Sequence, residues 1–265
     1  ARVGLGDELG SRSVPRASRP AAAAGGRIVS PAGVRLERRG TALLQLGAVH
    51  GARANLEKAL AANEAAYGRD HPCVAKVLET LAGVRVGLGD LPGARADLER
   101  AGAIYEATDG PGQPNLAVVL KQQAVLLAQT GELAAARAHV ERAIALEERS
   151  RGVDHPNLAR LLEIRATLGR DEGDVSGARA DLERALALEE VAKGEDHPEV
   201  AVLRERLAEV AQDMGDEAAG RAHLERALAI VEGAYGPEHD RARSVRQRLA
   251  AIQPNRQPPG PWFRR

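Results

Sequence analysis

The sequence predicts an all-α solenoid, built from antiparallel helix pairs stacked one on the next. Three observations carry this. The first is a phrase written five times at a fixed interval of 42 residues. It is clearest as Gly177-Ala-Arg-Ala-Asp-Leu-Glu-Arg-Ala-Leu-Ala, and its marker arginine falls at Arg53, Arg95, Arg137, Arg179 and Arg221. A period of about 20 to 50 residues marks stacked repeats that share one extended core. The second is composition. Aromatics make up only 2% of the 265 residues, so the core must be built from Leu, Val, Ile and Ala, and Ala and Leu are strong helix formers. The third is that β-branched residues do not alternate at period two, so strands find no support.

Taken in order, the chain opens with residues 1–30, read as a degenerate repeat remnant or a disordered segment. Residues 11–35 hold five Arg, no acid and many Ala, Ser and Pro. This composition suits a linker, a transit peptide or a decayed repeat. The third reading rests on Arg2–Asp7, which is identical to Arg85–Asp90, with Gly6 lying 41 residues before Gly47. On that reading the chain begins inside an earlier repeat and has lost an N-terminal portion. The solenoid itself is expected over 31–253, as about five helix pairs and a capping helix.

Residues 197–234 show one repeat in full. His197-Pro198 opens a first helix, since Pro fits a turn whose N–H groups are unpaired in any case. Val200, Leu203, Leu207 and Val210 follow at helical spacing. Gly215-Asp216 closes that helix in a left-handed exit. The second helix runs from about Glu217 to Ala234, with Ala222, Leu224, Ala227, Leu228 and Val231 as its apolar stripe, until Gly236-Pro237 breaks it. Isolated helices of about 16–18 residues are marginal in water, so each must bury its stripe on a neighbour. Small residues recur where helices approach: Ala82, Ala124, Ala166 and Ala208 form one column, and Ala59, Ala101, Ala143, Ala185 and Ala227 another. The half-repeat Ala242–Ile252, made polar by Arg241, Arg243, Arg246 and Arg248, reads as a cap. Residues 254–265 are Pro-rich and read as a disordered tail.

These residues resemble the tetratricopeptide repeat in its 42-residue, kinesin-light-chain-like form, over residues 34–252. The first helix carries Leu followed by a small residue at Leu81-Ala82 and Leu207-Ala208. The second carries Ala94-Leu98-Ala101, Ala136-Val140-Ala143 and Ala178-Leu182-Ala185. The link Gly-x-Asp-His-Pro stands at Gly68–Pro72, Gly152–Pro156 and Gly194–Pro198. The resemblance implies a right-handed superhelix. Three departures are expected to weaken it. Gln123 and Arg165 replace Leu, and Gly102 interrupts the column Leu60, Ile144, Leu186, Leu228. With the altered link at 109–114, this predicts a soft joint over residues 100–115.

Chemistry finds little footing. Lys plus Arg equals Asp plus Glu at 37 each, which gives no electrostatic reason to expect nucleic acid or an anionic membrane. No apolar run approaches the ~20 residues of a membrane span. The lone Cys73 excludes an internal disulfide and suits a reducing, cytoplasmic setting. His71, His155, His197 and His239 recur one per link, too far apart to share a metal whose ligands sit within ~2.1 Å, and read as helix-start punctuation. The glycine-rich stretches Gly4–Gly10 and Gly87–Gly93 read as turns, and no phosphate loop, zinc-protease or nucleophile-elbow motif is present. No catalytic residue, metal or cofactor is therefore assigned. The pairs from Arg53/Glu57 to Arg221/Glu225 read as weak surface salt bridges, in the less favourable order of Arg before Glu.

The resemblance also implies where a partner sits. First helices of such repeats line a concave groove that grips extended peptides, through Asn pairs in the kinesin-light-chain-like form. The matching positions here are Glu79-Thr80, Lys121-Gln122, Glu163-Ile164 and Glu205-Arg206, without an Asn among them. Their acidic column predicts a protein or peptide partner that carries Lys or Arg. The expected function is a non-catalytic protein–protein interaction scaffold. The alternative is the sensor arm of a larger signalling ATPase of the STAND type, or of another multidomain regulator.

Overall fold

The computed structural model describes residues 30–108 and 114–252. The proposed remnant at the N-terminus, the C-terminal tail and the altered link at 109–113 lie outside the described residues. Among the described residues there are helices only: α1 (Pro31–Gln45), α2 (Val49–Tyr67), α3 (Pro72–Gly87), α4 (Leu91–Thr108), α5 (Pro114–Gln129), α6 (Leu133–Arg151), α7 (Asn157–Glu172), α8 (Val175–Lys193), α9 (Pro198–Asp213), α10 (Glu217–Tyr235) and α11 (Asp240–Ala251). None of them is long and apolar enough to cross a membrane. Each odd-numbered helix pairs with the next, the second helix of a pair packs on the first of the following pair, and α11 caps α10. This is the all-α solenoid the 42-residue period predicts.

Local chemistry sets the boundaries. The turn inside each pair passes through Gly47, Gly89, Gly131, Gly173 or Gly215, all with φ between +73° and +88°, a conformation that glycine adopts without steric cost. The next residue then caps the second helix: Asp90, Asp174 and Asp216 accept from the N–H of Gly93, Gly177 and Ala219 at 2.9–3.0 Å. Between pairs the recurring histidine does the capping. Nδ1 of His71, His155, His197 and His239 accepts from the N–H of Cys73, Asn157, Glu199 and Arg241 at 3.1–3.2 Å. Tyr67 and Tyr235 stack on the rings of His71 and His239, with centroids 4.7 and 4.8 Å apart.

The alanine columns are the core. Ala59, Ala101, Ala143, Ala185 and Ala227 are all fully buried, as are Ala82, Ala124, Ala166 and Ala208. A methyl group at these positions lets neighbouring helices approach until Leu56, Leu98, Val140, Leu182 and Leu224 fill the space between pairs. Such close packing resists both larger and smaller side chains.

Two of the departures from the repeat face each other. Gly102 is buried inside an uninterrupted α4 and faces Val119 and Gln123 of α5. The missing side chain on α4 thus stands opposite the overlong one on α5. A Cβ built at Gly102 would lie 3.7 Å from Val119 Cγ1 and 3.8 Å from Gln123 Nε2, ordinary contact distances. Gly102→Ala should therefore stabilise the chain by about 1 kcal/mol, through helix propensity and a less flexible unfolded state. Urea denaturation followed by circular dichroism checks this, and a lowered midpoint would contradict it. Arg165, the other departure, binds rather than loosens. Its guanidinium meets Asp181 of α8 through Nε–Oδ2 at 2.7 Å and Nη2–Oδ1 at 2.5 Å.

Candidate functional site

The first helices share one face, along which α1 touches α3, α3 touches α5 and α5 touches α7. This face carries Glu79 and Thr80 on α3, Lys121 and Gln122 on α5, Glu163 and Ile164 on α7, and Glu205 and Arg206 on α9. The structure brings them onto one face but does not leave the acidic charges open. Glu79 is buried and takes a 2.8 Å bond from Lys76 Nζ. Buried Glu163 is held at 2.5 Å by both Arg160 Nη1 of its own helix and Arg206 Nε of α9. Glu205 is gripped by Arg241 and Arg248 of α11, each at 3.0 Å. The acidic column that predicts a basic partner is thus neutralised from within the chain, because carboxylates removed from water must be paired.

The pairing spreads into a ladder over the C-terminal half of the groove. Arg170 of α7 reaches Glu209 at 2.9 Å and Asp213 at 2.8 Å on α9, and Arg248 of α11 also reaches Glu209 at 2.9 Å. Arg170 and Arg248 are additions to the expected groove residues. Their signal is a spacing of one repeat plus one residue, as in Glu205 to Arg248, which a comparison of equivalent positions does not register.

The other half of the groove differs. Lys121 makes no ion pair among the described residues. Gln122, whose buried Oε1 accepts no hydrogen bond, borders a cavity of about 260 Å³ between α3, α5 and α7. Apolar groups of Val86, Val125, Leu126 and Ile164 line that cavity. A second cavity of about 580 Å³ lies between α5, α7 and α9 and reaches the C-terminal turns of α6 and α8. Apolar walls with a few unsatisfied polar groups suit a segment of extended chain, whose backbone supplies N–H donors at regular intervals.

The opposite face is occupied by structural charge pairs. All five marker arginines meet the glutamate one turn on, from Arg53–Glu57 at 2.8 Å to Arg221–Glu225 at 3.5 Å. Arg95 and Arg137 also reach forward across a repeat boundary, to Glu132 and Glu172. A second basic column links successive second helices through Arg100–Glu64 at 2.6 Å, Arg142–Glu106 at 2.8 Å and Arg184–Glu148 at 2.8 Å. Solvated pairs of this kind add little to stability.

The profile of a family described as tetratricopeptide repeat matches residues 34–107, 73–148 and 199–253, together well over half of the chain. Solved structures with the same fold include a kinesin-light-chain-related protein with nearly identical TPR-like repeats from Podosopora anserina. It is 21% identical, with a TM-score of 0.64 over 76% of this chain and 96% of that one. BtubC (BKLC) from P. vanneervenii is 17% identical, with a TM-score of 0.62 over 82% of each chain. A thermophilic TPR protein of Thermus thermophilus is 26% identical, with a TM-score of 0.53 over 83% of this chain and 98% of that one. No curated protein matches the sequence.

Proposed function

Since this chain belongs to the tetratricopeptide repeat family, a general scaffold for protein–protein contact, we propose that it is a non-catalytic cytoplasmic adaptor that holds an extended segment of a partner protein in its groove. The segment lies across α3, α5, α7 and the near side of α9. The observation that carries this reading is the contrast between the two halves of the groove. From α7 to α11 the groove charges stand in ion pairs with one another, whereas between α3 and α7 an apolar cavity opens beside Lys121, which has no ion pair among the described residues. The alternate side chains of an extended segment enter the cavity beside Val125 and Ile164. The same reading uses Thr80 little, since its hydroxyl already bonds to the Lys76 carbonyl at 3.1 Å.

A phage-displayed dodecamer library panned on the purified chain tests this. Val125→Asp, at a half-buried groove position, should weaken the selected peptides at least tenfold without altering the circular dichroism spectrum. Val191→Asp, at the 90% exposed Val191 of α8, should leave them unchanged. Binding that survives Val125→Asp, or that is lost with Val191→Asp, would move the site off the groove.

A further inference from the structure

We propose that the larger cavity receives one lysine or arginine side chain of the bound segment, with Glu147 as its main counter-charge and Glu189 beside it. This rests on the groove reading above and adds to it a site and a residue class. The cavity of about 580 Å³ is walled by Val118, Leu161 and Val202 on the first helices, while the C-terminal turns of α6 and α8 deliver Glu147 and Glu189 to it.

These two acids stand in one column of the repeat, and the other members of that column are Asn63, Tyr105 and Val231. Those three are 3%, 2% and 0% exposed. Packing at this position is therefore met by neutral side chains, and carboxylates stand in the two repeats whose second helices reach the cavity. Glu147 is itself only 2% exposed, and its buried Oε2 accepts no hydrogen bond. Its compensation is loose: Arg151 Nη1 stands 3.4 Å from Oε2, and Asn157 Nδ2 donates to Oε1 at 3.5 Å. Glu189 is better served, by Lys193 Nζ at 2.9 Å, but Lys193 also holds Glu199.

A buried carboxylate with distant partners is costly, and an entering cation supplies the missing close contact. The apolar walls accept the methylene stem of such a side chain while its head reaches the acid. Arginine suits this best, because its planar fork donates to both oxygens of one carboxylate. Of the cations that line the cavity, Arg160 is engaged with Glu163 and Lys193 with the two acids above. Lys121 also lines the cavity and has no counter-ion among the described residues, so its like charge limits the cavity to one entering cation.

The test uses the full chain and the peptides selected from the dodecamer library, with affinities read by fluorescence anisotropy. Selected sequences should share Lys or Arg at one fixed position, and Glu147→Gln should weaken them at least tenfold. Replacing the peptide's basic residue by citrulline or Gln should cost the wild-type chain a similar factor and cost the variant almost nothing more. Glu147→Asn, which copies the first repeat's Asn63, provides a second variant, and thermal melts confirm that both fold. Peptides that bind without a fixed basic residue, or that bind Glu147→Gln as tightly as wild type, overturn this inference and leave the groove reading intact. If the wild-type chain selects no peptide, both fall.

Discussion

Arg165→Leu should destabilise the solenoid by about 2 kcal/mol, even though it restores the residue that the repeat pattern favours. Arg165 and Asp181 form a two-bond pair with side chains only 27% and 14% exposed. Removing one member of a fully buried pair costs about 3–5 kcal/mol, because the other is left charged and unpaired. Partial exposure and the apolar area gained by Leu reduce that figure. The contact also holds the guanidinium in its charged form: hydrogen bonding to Asp181 raises the Arg165 pKa against the opposing effect of burial. Arg165→Leu combined with Asp181→Asn should recover most of the loss, since Asn55 already occupies the equivalent place in the first repeat. Urea midpoints for the two single variants and the double variant give the coupling directly. A more stable Arg165→Leu single variant would mean that the pair contributes nothing.

The second large effect is tied to pH. Asp97 of α4 is 9% exposed, and burial raises its pKa from the ordinary 3.8 to about 6, against the attraction of Arg85. Arg85 Nε lies 3.0 Å from Oδ2, yet neither atom finds hydrogen-bond geometry. The contact therefore returns less than burial removes. Because the folded pKa lies above the unfolded one, the native state binds this proton more tightly. Stability from the group is full below about pH 4, declines as pH rises toward 6, and is absent above 6. A displacement of this size corresponds to about 3 kcal/mol. Asp97→Asn removes the titration, so the variant should gain on the wild type as pH rises from 4 to 7.5, with most of the change centred between 4 and 6. Urea denaturation of both proteins across that range measures it. A constant difference between them would show that Asp97 does not titrate there.

Helix order, turn positions and the alanine columns were legible in the sequence because they depend on residues at equivalent places in each repeat. Ala143 packs as Ala101 and Ala185 do, so comparing one column at a time finds it. The groove was less legible because its chemistry runs between columns. Glu163 meets Arg206 and Glu205 meets Arg248, a repeat and one residue later, while Arg165 meets Asp181 within one helix pair. Read singly, Glu79, Glu163 and Glu205 are an acidic stripe; read with their partners they are a neutral wall. Gly102 and Gln123 teach the same lesson for shape. Each looks like a defect in its own column, and only their juxtaposition across α4 and α5 shows a fit. Burial of Glu147 is equally silent in sequence, where it resembles any glutamate near a helix end.

The ladder along the groove makes the repeats directional units with unlike edges. The α9–α10 repeat carries both halves of the joint, Glu205 facing forward to Arg248 and Arg206 facing back to Glu163. Copies of that unit could follow one another indefinitely with every joint matched. The α5–α6 repeat, with Lys121 and Gln122 at the same places, offers neither half and could only interrupt such a series. Repeat order is therefore written into the chain as a grammar of compatible neighbours, and the unit that breaks the charge sequence is the one at which the groove opens.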